Sequence, residues 1–245
     1  MEIIRSEILS RYQQVVFGMS TRVGGRSPSG LGMNLSFNVN DDKVNVIENR
    51  RLFFGTLHIG LDELAFPMQC HSNTVRIIQT WGGYENCDGL ITSELGVFIA
   101  ISVADCVPMF FFDPVTRIVA GIHAGWRGTR LGIVNNAIAL MASEFGTVSK
   151  NLIVFAGPAA GKCCYEVGEE VAAMFDKQFL FKNKSGKWNV DLKEANRQQM
   201  IAGGILSNNI EMHEGCTIHE KERFHSYRRD GESSGRMMGV IGIVR

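Results

Sequence analysis

A β-hairpin centred on Asp113-Pro114-Val115-Thr116 constrains this chain more than any other stretch. Proline pre-sets φ at the first central position of a turn and Asp commonly caps one, while the flanking VPMFFFD and RIVAGIH are rich in β-branched and aromatic residues. Pairing Asp113 with Thr116 puts Cys106 directly opposite His123 on one face. Their Cβ atoms would be roughly 5 Å apart, close enough to share a metal ion or a proton. A slip of one residue would send the two side chains to opposite faces. Beyond His123 the chain runs through Ala-Gly-Trp-Arg-Gly into an expected helix. That places Arg127 and unpaired backbone N–H groups beside the pair, a setting that suits an anion or phosphate.

The rest of the chain predicts strands and helices alternating irregularly. Strands are expected at Val15–Met19, around Val75–Ile78, at Gly96–Val103, Leu152–Ala156 and Met237–Val244. Helices are expected from about Lys43 to His58, from a Thr129 N-cap to Phe145 with Gly146 just beyond, from Glu169 to Phe181, and from Leu192 to Leu206. Without repeats or a linker, this describes one α/β (α+β mixed) domain over residues 1–245. Lys and Arg number 25, as do Asp and Glu, and the basic residues are scattered, so nucleic acid is not an expected partner. The charged N-terminus and the lack of a long apolar window point to a cytoplasmic protein rather than an exported or membrane one. Six cysteines in 245 residues, none in a CxxC pair, are too sparse for a disulfide scaffold and are expected as thiols.

Several motifs have bland readings. The loop Gly157–Gly168 superficially suggests a P-loop. Only three residues separate its first two glycines, however, and Cys163 stands where a magnesium-binding Ser/Thr belongs, which excludes nucleoside triphosphate binding. His213, His219 and His225 recur every six residues, matching neither one helical face nor a zinc finger. His71, at a strand end, reads more readily as a structural hydrogen-bonder than as a ligand. The Cys106/His123 pair supports two chemistries, a metal site completed by a distant histidine or a thiolate nucleophile activated by its base. A third reading is a buried thiol beside a hydrogen-bonding imidazole.

The motifs STRVGG with a following NLS, then QCHSN, DGLIT, SVADCVPMFFFD, IHAGWRGT, AGPAAGKCCYEVG and SYRRDG together resemble the YfiH/YlmD family of bacterial proteins. That family also includes the mammalian laccase domain-containing protein. The resemblance covers nearly the whole chain in order. It implies a single multilayered domain of mixed β-sheets flanked by helices. It also implies zinc-dependent phosphorolysis of adenosine, inosine, guanosine and 5′-methylthioadenosine, with adenosine deamination alongside. His71, Cys106 and His123 are the implied zinc ligands. Two departures are Cys70 before His71 and Ala159-Ala160 where a bulkier pair often follows Gly-Pro.

Under that reading Arg127, Arg22 and Ser20 are expected at the substrate and phosphate, and Asp105 or Glu166 in proton transfer, with Cys106 and His123 at the reacting centre. Three ligands leave an open position, which a fourth from Cys163, Cys164 or His225 would close. Two alternatives use the same residues. One is a cysteine hydrolase with a Cys106/His123 dyad. The other is a copper polyphenol oxidase, for which six histidines and no HxH pair are too few, although soft ligands still take up copper.

Overall fold

Every residue of strand Val107–Asp113 is buried. Successive side chains on a strand point to opposite faces, so this strand must be covered on both sides. Phe110 and Phe112 pack with Phe17, Ile99 and Ile241, whereas Phe111 packs with Val134, Ile138 and Met141. The computed structural model, which describes residues 1–28 and 30–245, satisfies that demand with stacked layers of helix, sheet, sheet and helices. Ser29, in the glycine-rich loop, lies outside the described residues.

One six-stranded sheet runs edge to edge as Ile3–Ile4, Val15–Ser20, Met237–Ile243, Phe98–Val103, Leu64–Pro67 and Gly82–Tyr84. The other runs as Ile210–Met212, Ile153–Ala156, Val107–Asp113, Ile118–Ala124, Gly89–Thr92 and Val75–Ile77. Each mixes parallel and antiparallel neighbours. Helix Lys43–Thr56 covers the outer face of the first through Phe53 and Phe54, against Ala100, Met238 and Val240. Helices Ile133–Phe145 and Leu192–Ala202 cover the outer face of the second. The two sheets meet closely where glycine removes a side chain: a Cβ on Gly239 would lie 2.3 Å from the Phe110 ring, and one on Gly121 2.7 Å from Ile99. Among the described residues no helix is long and apolar enough to cross a membrane.

The hairpin forms with a turn two residues longer than expected. Asp113 pairs with Ile118 and Pro108 with His123, because the chain reverses through Arg117 in the left-handed region (φ +57°). Asp113 still caps the turn, accepting from the Val115 N–H and the Thr116 hydroxyl. A shift of two keeps every side chain on its face. Cys106, just before the strand, and His123 therefore stay diagonal neighbours on one side instead of direct partners.

Three helix limits also differ. Thr129 is not an N-cap: it lies inside a short helix Trp126–Arg130, and Gly132 at φ +73° starts Ile133–Phe145 afresh. The helix expected to reach Phe181 stops at Ala172, since Leu180–Lys182 is drawn into a small antiparallel sheet with Trp188–Val190 and Glu166–Val167. The helix beginning at Leu192 ends at Ala202, before the Gly203-Gly204 pair. Its Asp191 cap accepts from the Glu194 N–H, and Asp42 likewise caps the Lys43 helix through Val44.

Gly239→Ala drives a methyl group into the Phe110 ring and should lower the unfolding free energy by about 1–3 kcal/mol in urea denaturation. An unchanged midpoint would mean the sheets do not meet at this position.

Candidate functional site

The loop Gln69–Asn73 turns sharply, with His71 at φ +61°, a conformation that a side chain adopts only when its surroundings enforce it. Asp88 enforces it. Its carboxylate accepts from the backbone N–H groups of Cys70, His71 and Ser72 at 3.2, 3.0 and 2.7 Å and from the Ser72 hydroxyl at 2.8 Å. The same carboxylate meets Nδ1 of His123 at 2.8 Å, while its backbone carbonyl accepts from the His123 N–H. Asp88 is fully buried. Burial opposes its charge, but donation from His123 and Ser72 outweighs it and holds the carboxyl well below its usual range.

His71, Cys106 and His123 bring their ligand atoms within 4.8 Å of one another. The two imidazole rings stand edge to face, with centroids 5.0 Å apart. Gly125 permits this closeness: a Cβ there would lie 3.0 Å from the Cys106 sulfur and 3.1 Å from the His71 ring. The trio fits a metal ion, with two imidazoles and a thiolate as donors and one histidine already oriented by a carboxylate on its other nitrogen. Although burial raises the Cys106 thiol, attraction and hydrogen bonding to His123 and His71 win and push it below its ordinary value. The His123 imidazole moves up for the reciprocal reason, against its own burial. His71 is exposed and Cys106 half-buried, so the trio opens on solvent through one side.

That side is a cleft of about 830 Å³. Arg50, Arg127, Arg228 and Arg236 line it, and each guanidinium lies over an aromatic ring: Phe37 at 4.4 Å, Trp126 at 4.3 Å, Tyr165 at 5.0 Å and Tyr227 at 5.3 Å respectively. Stacking holds a guanidinium flat while its N–H donors stay at the edge. Burial lowers Arg50 to about 10, which leaves it charged at neutral pH. Burial also raises Tyr165 to about 12, so its hydroxyl keeps its proton. The cleft therefore offers positive charge, flat aromatic surface and a phenolic donor beside the His71/Cys106/His123 trio.

Of the residues expected from sequence, Cys106, His123, His71, Arg127 and Asp105 line this cleft. Asp105, at φ +96°, has both carboxylate oxygens taken, one by the Thr217 hydroxyl and the other by the Arg228 N–H, each at 2.7 Å. Glu166 lies in an adjoining depression of about 530 Å³, bound to Lys187 at 2.8 Å and Asn183 at 2.9 Å; Lys187 keeps it ionised below its usual range. Arg22 points elsewhere, donating to the carbonyls of Lys221 and Gly30. Ser20 is buried, its hydroxyl accepting from the Met238 N–H. Cys163 and Cys164 gather with Cys216 instead of joining the trio, and His225 is packed against Gly235. Sequence reasoning missed Asp88, read only as a turn, and Arg50, Arg228, Arg236 and Tyr165. The DGLIT and SYRRDG motifs carried two of these five, Asp88 and Arg228, in plain sight, Tyr165 lay in AGPAAGKCCYEVG, and Arg50 and Arg236 gave no signal.

Residues 16–244 match the family model described as multi-copper polyphenol oxidoreductase laccase. A purine nucleoside phosphorylase, YlmD, from Geobacillus stearothermophilus is 34% identical over 93% of this chain and 89% of its own. An adenosine deaminase, RL5, from an unknown prokaryotic organism is 34% identical over 91% of this chain and 90% of its own. The crystal structure of the Geobacillus YlmD superposes with a TM-score of 0.91 at 31% identity, covering 98% of this chain and 94% of that one.

Removing the Asp88 carboxylate should free both His123 and the His71 loop. Asp88→Ala is expected to weaken metal affinity by about 10–100-fold in competition with a chromophoric chelator. Equal affinity would show that the carboxylate does not organise the ligands.

Proposed function

We propose that this chain, which belongs to the YfiH/YlmD family covered by the multi-copper polyphenol oxidoreductase laccase model, is a zinc-dependent purine nucleoside phosphorylase that also deaminates adenosine. Relatives named purine nucleoside phosphorylase or adenosine deaminase make it an enzyme of this kind. Adenosine, inosine, guanosine and 5′-methylthioadenosine are the proposed substrates, with phosphate as co-substrate. The observation that carries the reading is one cleft holding both the His71/Cys106/His123 trio and four ring-stacked arginines.

His71, Cys106 and His123 would hold the zinc, which would supply Lewis acidity to a substrate oxygen or to water in the cleft. In phosphorolysis a phosphate oxygen bonds to the anomeric carbon while the bond to the purine nitrogen breaks, and the purine leaves with that electron pair and takes up a proton. Phosphate therefore needs fixed positive charge and the purine needs a donor. Arg127 is exposed, and among the described residues its side chain makes no ion pair, which leaves its fork of donors for phosphate. Tyr165, protonated at neutral pH, is the donor nearest in chemistry to the purine's need. The purine itself finds the rings of Phe37, Trp126 and Tyr227 to lie against. Asp105, with both oxygens engaged, acts as a positioning residue for the adjacent Cys106.

A cysteine hydrolase would use the same low-pKa Cys106 thiol with His123 as base. The third donor from His71 supports the metal reading over it.

The test combines wild type and Arg127→Ala with adenosine and phosphate, products being followed by mass spectrometry. Wild type should yield adenine and ribose 1-phosphate, with inosine from deamination, and should lose both activities to chelators. Loss of a charge-assisted hydrogen bond, about 1.5–3 kcal/mol, should raise the variant's KM for phosphate about 10–100-fold while deamination persists. An unchanged KM removes Arg127 from phosphate binding, and activity that survives chelation but not iodoacetamide contradicts the zinc reading.

A further inference from the structure

On the far side of Asp105, three cysteines that the proposed chemistry does not use come together. Cys163 and Cys164 sit in the turn after strand Ile153–Ala156, and Cys216 sits in the segment after Ile210–Met212. Their sulfurs lie within 4.8 Å of one another, and no histidine nitrogen or carboxylate oxygen joins them among the described residues. All three are unpaired thiols. The two segments are laced together: Ala159 bridges Cys216, the Thr217 N–H donates to the Ala159 carbonyl, and the Gly161 N–H donates to the Cys216 sulfur at 3.2 Å. Lys193 ties the second segment down through the carbonyls of His213, Glu214 and Gly215.

We propose that Cys163, Cys164 and Cys216 form a second metal site, selective for a soft monovalent ion of the Cu(I) type. Three sulfurs bound to one ion at about 2.3 Å stand about 4 Å apart, a spacing close to the 4.8 Å that already encloses this cluster. The donor set is all thiolate, which favours soft ions. Structural zinc is almost always four-coordinate, and no fourth donor stands with the three, whereas Cu(I) is satisfied by three. Binding exchanges three thiol protons for the ion, and the protons leave to solvent. Cys216 is the most fixed donor, its sulfur already accepting from the Gly161 N–H. The adjoining cavity of about 440 Å³ is lined by Lys162, Lys193 and Arg197 together with Asp191, Glu194 and Glu214, so its charge is balanced. Cys163, exposed at the surface, gives the ion its way in.

The site would also clamp the scaffold behind the catalytic cleft. Thr217, next to Cys216, donates to Asp105, and Ala160 donates through its N–H to the Asp105 carbonyl. An ion joining Cys163 to Cys216 therefore braces both segments that hold Asp105 beside Cys106.

The test titrates the zinc-loaded protein with Cu(I) anaerobically, against a colorimetric Cu(I) chelator. Wild type should bind about one more Cu(I) per chain than Cys163→Ser or Cys216→Ser, develop ultraviolet thiolate-to-copper absorption that both variants lack, and keep its zinc. Loading should also raise the melting temperature of wild type and not that of Cys163→Ser. Because Cys163 is exposed, its variant tests the site even if Cys216→Ser fails to fold. Equal Cu(I) uptake by wild type and Cys163→Ser would overturn the proposal. So would uptake that releases one zinc per copper, which would place the ion on the Cys106 trio, or Zn2+ filling the cysteines as tightly as Cu(I).

Discussion

Asp88 receives hydrogen bonds from three consecutive backbone N–H groups, one hydroxyl and one imidazole through a single buried carboxylate. A buried charge survives only when donors surround it in this way. Strand Gly89–Thr92 begins immediately after it and pairs with Ile118–Ala124, so the central sheet itself positions the carboxylate against His123. The His71 loop is then wrapped around the same carboxylate. In consequence two candidate ligands that are distant in sequence share one anchor, and the third, Cys106, arrives from the other arm of the hairpin. The strained backbone at His71 and Asp105 flanks the ligand set on both sides, where a preorganised site concentrates strain.

The hairpin was legible because its signals are local. Turn residues and arms rich in β-branched and aromatic residues are written in adjacent positions, and an error of two residues in the turn left the face of Cys106 and His123 unchanged. The mixed α/β architecture followed from the same local patterns. What stayed hidden depends on contacts made after folding. Asp88 precedes a glycine and looks like a turn residue until the sheet forms over it. Arg50 lies on a helix that reads as packing alone, and its stacking on Phe37 and Phe66 with a hydrogen bond to the Leu35 carbonyl holds it at the cleft. Ser20 and Arg22 show the converse error. Their position beside a glycine-rich loop suggested binding, yet their polar atoms are spent on the chain's own backbone.

The division of labour in the cleft follows from the four layers. Rigid strands carry His123 and set the position of Cys106, while the arginines come from four separate places in the chain and are held by aromatic faces instead of by acids. Among the cleft-lining residues Asp105 is the one carboxylate, and its oxygens are already occupied. The positive field therefore remains available to an anionic substrate. That arrangement, placed against a soft and partly open ligand trio, is what a phosphate-consuming reaction on a flat base requires.

The most direct check on this account is zinc K-edge X-ray absorption of the active, zinc-loaded protein. The account predicts one sulfur at about 2.3 Å and two nitrogens at about 2.0–2.1 Å, with a light atom in the remaining position, and loss of this signal together with turnover in Cys106→Ala. A zinc shell dominated by sulfur, or full turnover with no zinc bound, would contradict it.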